Sequence, residues 1–411
     1  MADNFEKRES LRESQRGVAL LIVLISLTIL AVMTADFMEN NETSLITAVN
    51  HRDSVQAEYL ARSGVNLSRL LLSAQSLPMF KQLMNFPIWE YADLILEPFS
   101  ASGGDGGMMG EMMGFSLNAA EGLGLEEDHE FSIQIVDEDS KINVNLGSNP
   151  DPKMSKGIYN NLLSLVSPEM YDELFTGDDY RDDMDREEII GEIFDYIDAD
   201  DDSYIGGAGE EAYYSSTVPR YERKNAPFDS LEELHMVHGI GDDFWSAFVD
   251  PNPEDVTSRI LTVWGKGLIN VNTANTQVLY STLCMLATDN AGNTPCTDPI
   301  IANNLIQILQ TYSFLKTFMP AKNVKDFLDK IKNPESMFLI GVAGFPIDNK
   351  SGEKMLSTTS QVFSIYVTGT VKNATRRIHT VIDIDPKEPD IIDPETSTAA
   401  SGGKIMYWRM E

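Results

Sequence analysis

Basic residues, cysteine and histidine are all scarce in this chain. It sets 31 Lys and Arg against 64 Asp and Glu, giving a formal net charge of −33 and a pI near 4.4. Such a body repels nucleic-acid phosphates and anionic membrane surfaces, and it suits bound divalent cations. The 2 cysteines, Cys284 and Cys296, leave room for one short disulfide loop in an oxidising compartment, or for two free thiols. The 5 histidines, His51, His129, His235, His238 and His379, are scattered. His235 and His238 share a helix face, yet no HExxH, nucleophile elbow or phosphate loop accompanies them. Paired carboxylates are abundant in so acidic a chain and by themselves say nothing about catalysis. At 411 residues and 42% hydrophobic content, the bulk is globular, with room for two compact units.

What is present begins at the N-terminus. A leader carrying Lys7, Arg8, Arg12 and Arg16 ends at Gly17, and an uncharged apolar run fills residues 18–35. That run is near the lower limit for a membrane-spanning helix, about 17 residues. Topology follows Lys and Arg more than net charge, and Asp36, Glu39 and Glu42 lie beyond the run, so the N-terminus is expected in the cytoplasm. A secretory signal peptide would have a shorter apolar core and a small-x-small cleavage site after it. Here the glycine precedes the run, and a peptidase could cut between Gly17 and Val18 on the cytoplasmic side. The layout resembles that of type IV prepilin-like proteins. One residue departs from it: Ile22, fifth after Gly17, stands where most such proteins carry glutamate.

No proline interrupts residues 18–77. Met38, Leu45, Val49, Val55, Tyr59, Leu60, Leu67, Leu70 and Leu71 recur at helical spacing, and Ala57, Ala61 and Gly64 fall on related turns. The pattern predicts one helix on the order of 90 Å long at about 1.5 Å per residue. Its first half would sit in lipid or a bundle of like helices, and its second half would pack one face on a soluble domain. A plain single-span anchor with a juxtamembrane helix is the simpler alternative.

Pro78, Pro87 and Pro98 end the helix, and the Gly/Met-rich residues 102–114 predict a flexible loop. In HEFSIQIVDEDSKINVN, residues 129–145, Phe131, Ile133 and Ile135 alternate as a half-buried strand. Asp137, Glu138, Asp139 and Ser140 then make a polar turn, and Ile142 and Val144 resume, as a second strand or one leaving the sheet. Residues 152–250 read as helical and acidic, with an amphipathic helix over 186–197 running into DADDDSY and GGAGEEAYY. Ser230 and Glu233 have capping-box spacing for a helix ending at Gly239-Ile240-Gly241, and INVNTAN, 269–275, opens another through about Leu286. Residues 300–335 are again helical. Residues 361–370 and 378–384 predict a hairpin, turning at Asn373, that joins the strand at 131 in one antiparallel sheet. The organisation expected is a leader over 1–17, a helix over 18–77, an α/β domain from 78–149 and 346–385, an inserted helical domain over 150–345, and a flexible tail over 386–411.

Four separated motifs are similar to the minor pseudopilin K family of type II secretion systems. They are RGVALLIVLISLTIL without the glutamate, DEDSKINVN, FDYIDADDDSYIGGAGEEAYY, and NAPFDSLEELHMVHGI together with LINVNTANTQVL. The resemblance implies an α+β, type IV pilin-like fold with an inserted helical domain of SAM-like or helix-hairpin-helix-like build. It implies a non-enzymatic subunit at the pseudopilus tip. Its partners would be minor pseudopilins I and J, the major pseudopilin, prepilin peptidase and the inner membrane. The peptidase would cut after Gly17 and methylate Val18. The family also binds calcium in its inserted domain. Carried over residue by residue, the ligands would be Asp198, Asp200, Asp202 and Glu210. The loop is not an EF-hand, because Ser203 and Gly209 stand where that loop needs glycine and glutamate.

Ile22 then has a physical reading. In a filament, a buried glutamate near the helix start can neutralise the amine of the subunit ahead, and an unpaired buried carboxylate is costly. A tip subunit has no subunit ahead, so Ile22 avoids that cost. The main rival reading is DNA binding through hairpins at Gly239-Ile240-Gly241 and INVNTAN, or a minor pilin of a type IV pilus. Asp242 and Asp243 follow the first hairpin where basic residues belong, which argues against nucleic acid.

Overall fold

The computed structural model describes residues 3–76, 87–92, 128–175, 184–199, 202–205, 214, 220–288, 293–347, 349–384 and 403–411. One helix, α1 (Asp3–Ser76), opens the chain without interruption. There follow β1 (His129–Asp137), β2 (Ile142–Asn143), α2 (Pro152–Val166), α3 (Arg186–Ile197), β3 (Leu261–Thr262) and β4 (Ile269–Asn270). The chain continues through α4 (Thr276–Leu286), α5 (Pro299–Leu315), α6 (Val324–Lys332), β5 (Leu356–Ser357), β6 (Val362–Val371), β7 (Ala374–Asp383) and β8 (Lys404–Met410).

β1, β6, β7 and β8 form a four-stranded antiparallel sheet in that order. Alternation decides its faces: Phe131, Ile133 and Ile135 from β1 join Phe363, Ile365, Val367, Ile378 and Ile382 in a core against α1. The helix contributes Ala57, Leu60, Ala61, Val65 and Leu72. Ala57, Ala61 and Gly64 let it lie close. A Cβ on Gly369 of β6 would stand 2.5 Å from the Ala57 carbonyl oxygen and 2.8 Å from the Ala61 nitrogen. Trp89, from a short 3-10 turn, meets Phe363 edge-on at 4.9 Å and extends the same core.

A second, larger core runs from Ile142 to Leu356 and belongs to the helical body inserted between β1 and β6. The body therefore starts just after the polar turn, some residues before the expected boundary at 150. Its helices begin where the sequence places caps. Asp185 and Glu188 form a capping box on α3, and the Asn275 side chain accepts from the Val278 N–H to start α4. The helix expected at Ser230 is a single 3-10 stretch, Leu231–Met236, although Glu233 does accept from the Ser230 N–H at 3.2 Å. Gly239, at φ +80°, ends that region in a conformation glycine adopts freely.

The C-terminus differs from expectation. A flexible tail was expected over 386–411, and residues 385–402 lie outside the described residues. Residues 404–410, however, are β8, paired antiparallel to β7. The physical reason is local. The outer edge of β7 offers main-chain donors and acceptors, and KIMYWRM supplies β-prone side chains. Tyr407 packs 5.7 Å from Trp264 of the helical body, and the Arg62 guanidinium of α1 lies 5.9 Å over Trp408.

Candidate functional site

Three features carry chemistry: the bare end of α1, the polar joint between sheet and helical body, and the acidic loop after α3.

Within Val18–Ser73 lies an 18-residue window of mean hydropathy 2.8, none of it buried. Val18 and Ile22 are both 57% exposed, as are their apolar neighbours through Met33 to a similar degree. Packing against the sheet starts only near Ala57, so the same helix is exposed apolar surface at one end and core at the other. Such a surface belongs in lipid or against other helices. Gly17 lies within α1, and the side chains before Val18 lie outside the described residues.

The motif read as a polar turn is buried. Asp137, Glu138, Asp139 and Ser140 are each 9% exposed or less. They are tolerated because partners distant in sequence satisfy them. Asp137 Oδ2 accepts from Thr273 Oγ1 and from Ser360 Oγ, both at 2.5 Å, and its Oδ1 accepts from the Asp139 N–H at 2.9 Å. Asp139 Oδ2 accepts from the N–H groups of Gln361, at 2.7 Å, and Val362, at 3.1 Å. Glu138 pairs with Lys141 at 2.9 Å and accepts from Thr262 Oγ1 at 2.5 Å. DEDSK thus clasps both crossings between sheet and body, the outgoing one at 137–142 and the returning one at 357–362. INVNTAN is the second half of the clasp, through Thr273 and through Asn270, whose amide donates to Ser360 Oγ at 2.6 Å.

Electrostatics at the joint follow from burial. Loss of solvent pushes the Asp137 carboxyl up to about 7, reinforced by the nearby Asp139. Burial also pushes Glu138 up, but the adjacent Lys141 ammonium and its hydrogen bonds outweigh this and hold it below the usual carboxylate range. On the far face of the sheet, burial holds His379 down at about 4, where its ring stacks on Tyr366 at 4.2 Å.

The acidic loop begins at the α3 C-terminus. Asp195 turns back on it, accepting from the Tyr204 N–H at 2.7 Å and from Ser203 Oγ at 3.3 Å. These bonds bring Ser203 and Tyr204 back to the end of α3, near which Asp198 and Asp202 lie in the sequence. Burial pushes the Asp195 carboxyl up to about 6. Asp200 and Glu210 lie outside the described residues, and among the described residues no group of three His, Cys, Asp or Glu is placed to hold a metal. The four proposed donors are all carboxylates, a set that suits a hard cation such as calcium.

Cys284, at the end of α4, is joined to Cys296 by a disulfide with a Cα–Cα distance of 5.7 Å. It ties the 3-10 turn at Pro295–Thr297 back to the helix. His235 stacks on Trp245 at 4.1 Å, an ordinary packing role. The Gly/Met-rich residues 102–114 lie outside the described residues.

Residues 140–248 match the model of a known family, described as type II secretion system protein K. The match begins in the clasp, spans the whole acidic loop and ends just past the Gly239-Ile240-Gly241 turn. A curated relative, type II secretion system protein K of Pectobacterium carotovorum subsp. carotovorum, is 26% identical over 238 residues. The alignment takes in 57% of this chain and 61% of that relative's length. Among solved structures, a chain of the GspK-GspI-GspJ complex from the enterotoxigenic Escherichia coli Type 2 Secretion System superposes with a TM-score of 0.50 at 16% identity. That superposition covers 89% of this chain and 99% of the other, and it is a likeness of fold.

Proposed function

We propose that this chain is a minor pseudopilin of a type II secretion system. It stands at the tip of the pseudopilus, starts assembly with minor pseudopilins I and J ahead of the major pseudopilin, and supports protein export across the outer membrane. The observation that carries this reading is α1: bare and apolar at one end, closed on an antiparallel sheet at the other, in a chain with a protein K domain over 140–248. The role is structural and not enzymatic. Before assembly the protein is a single-pass protein of the inner membrane, N-terminus in the cytoplasm and body in the periplasm. Prepilin peptidase removes residues 1–17 and methylates Val18. The periplasm is oxidising and suits the Cys284–Cys296 bond.

The reading of the tip position rests on Ile22, which stands where an internal subunit would carry glutamate. Deletion of the gene in its own host is expected to abolish secretion, and the wild-type chain to restore it and label filament ends. Ile22→Glu supplies the carboxylate an internal subunit uses, so it is expected to spread the protein along filaments. Secretion unaffected by the deletion contradicts the reading, and tip-only placement of Ile22→Glu contradicts the role given to Ile22.

Asp198, Asp200, Asp202 and Glu210 are proposed to hold calcium, which would neutralise part of the loop's charge and fix its path. Binding only to the folded state raises stability by mass action, about 2.7 kcal/mol at a hundredfold excess over Kd. Calorimetric titration is expected to show binding and a higher Tm with calcium. Neither effect in the wild-type protein removes the metal from this account.

A further inference from the structure

We propose that the joint between the sheet and the helical body is a proton-operated hinge, shut while Asp137 keeps a proton and loosened when Asp137 and Asp139 are both ionised. The two side chains are 5% and 7% exposed and lie two residues apart on one turn. Among the described residues neither forms an ion pair: Lys141 is held by Glu138 at 2.9 Å, and Lys266, which faces Asp139, by Asp383 at 3.0 Å. The other charges facing the pair are Lys316, just past the end of α5, and Glu90 beside it. Lys316 donates to the Ala274 carbonyl at 2.8 Å. Five carboxylates thus face three ammonium groups, and a proton on the pair relieves part of the excess. The proton has an acceptor. Thr273 Oγ1, 2.5 Å from Asp137 Oδ2, also reaches the Asn270 carbonyl at 3.4 Å, so it can donate there and accept from Asp137.

Away from the joint the sheet and the body fit loosely. A cavity of about 270 Å³ lies between Tyr366, His379 and Tyr407 of the sheet and Leu231, Arg259 and Trp264 of the body. A wider cleft lies between Gln134 and Thr368 on the sheet and Thr257 and Asn275 on the body. The crossings at 137–142 and 357–362 therefore carry much of the attachment, and repulsion inside them acts on the whole body.

Burial pushes Asp137 up to about 7 and raises Asp139 as well. A carboxyl raised in the folded state favours closure while it keeps its proton, and that contribution is lost as pH rises through about 7. His379, which faces Glu138, is held down at about 4 by burial and stays neutral across this range. The coupling of the body to the sheet, and through it to α1, thus follows the pH around the body.

The test is amide hydrogen exchange of the full-length chain in mild detergent at about pH 6 and about pH 8.5, at fixed calcium and corrected for the intrinsic exchange rate. The opening constant of residues 269–275 and 357–362 is expected to rise about tenfold with pH, with that of α6 unchanged. Asp137→Asn is neutral at both pH values and is expected to open equally at both. If that variant does not fold, Asp139→Asn replaces it: with the neighbouring charge removed, the midpoint of opening moves to lower pH. A wild-type joint that opens equally at both pH values overturns the hinge. So does a rise that persists in Asp137→Asn, or a midpoint that Asp139→Asn leaves in place. The test needs no partner subunit, so its failure leaves the pseudopilin reading standing.

Discussion

Lys141→Met is expected to destabilise the protein by about 3–5 kcal/mol, the cost of leaving one partner of a buried ion pair alone. The two side chains are 3% and 5% exposed, so solvent does little to screen them. Without Lys141, the Glu138 carboxylate keeps Thr262 as its partner and loses its counter-charge. It then takes up a proton or opens the joint to water, and both cost stability. The double variant Glu138→Leu with Lys141→Met should recover at least half of the loss, because an apolar pair has no charge to strand. Urea unfolding of the three proteins, followed by tryptophan fluorescence, measures this. A single variant as stable as the wild type would mean that the joint is wetter than the structure describes.

The second large effect concerns the seam between α1 and the sheet. Gly369→Val places a side chain where its first carbon would lie 2.5 Å from the Ala57 carbonyl oxygen. The obstruction is helix backbone, which cannot rotate away as a side chain could. Overpacking of this kind costs about 1–3 kcal/mol, and rigid surroundings put this site at the upper end or beyond. Expected are a lower unfolding midpoint and faster hydrogen exchange in β6 and β7. Gly157→Ala is the control: its added carbon meets only Met355 Sδ at 3.7 Å, and alanine favours the helix. Equal exchange in β6 and β7 for Gly369→Val and wild type would contradict the close seam.

Much of this architecture was legible in the sequence, where local periodicity carries the information. The unbroken α1, the amphipathic α3, the alternating β1 and the β6–β7 hairpin all follow from which residues are apolar and how they are spaced. Even the seam was foreshadowed by Ala57, Ala61 and Gly64 on related turns. The joint was not legible, because Asp137 to Ser140 look like a solvated turn when read alone. Their partners Thr262, Thr273, Ser360 and Gln361 are more than a hundred positions away, and no local pattern records such bonds. β8 was hidden for a different reason. It follows a Pro-, Asp- and Ser-rich stretch, and its strand signal rests on Ile405, Tyr407 and Trp408 alone. The acidic loop stays a sequence-level site, with Asp198 and Asp202 placed and their two companions outside the described residues.

The joint gives the proposed role a mechanical basis. A helical body hung on two chain crossings would swing if the crossings were plain linkers. Clasped by Asp137, Asp139 and the Glu138–Lys141 pair, it is held to the sheet and therefore to α1. A subunit that starts a filament needs that continuity between its anchor and the bulk it presents beyond the membrane.

The most direct measurement is purification of the full-length chain from its own host in mild detergent, through an affinity tag on the chain. The account predicts that it emerges cleaved after Gly17 and in one complex with minor pseudopilins I and J. A chain that emerges alone, or with its leader intact, would contradict it.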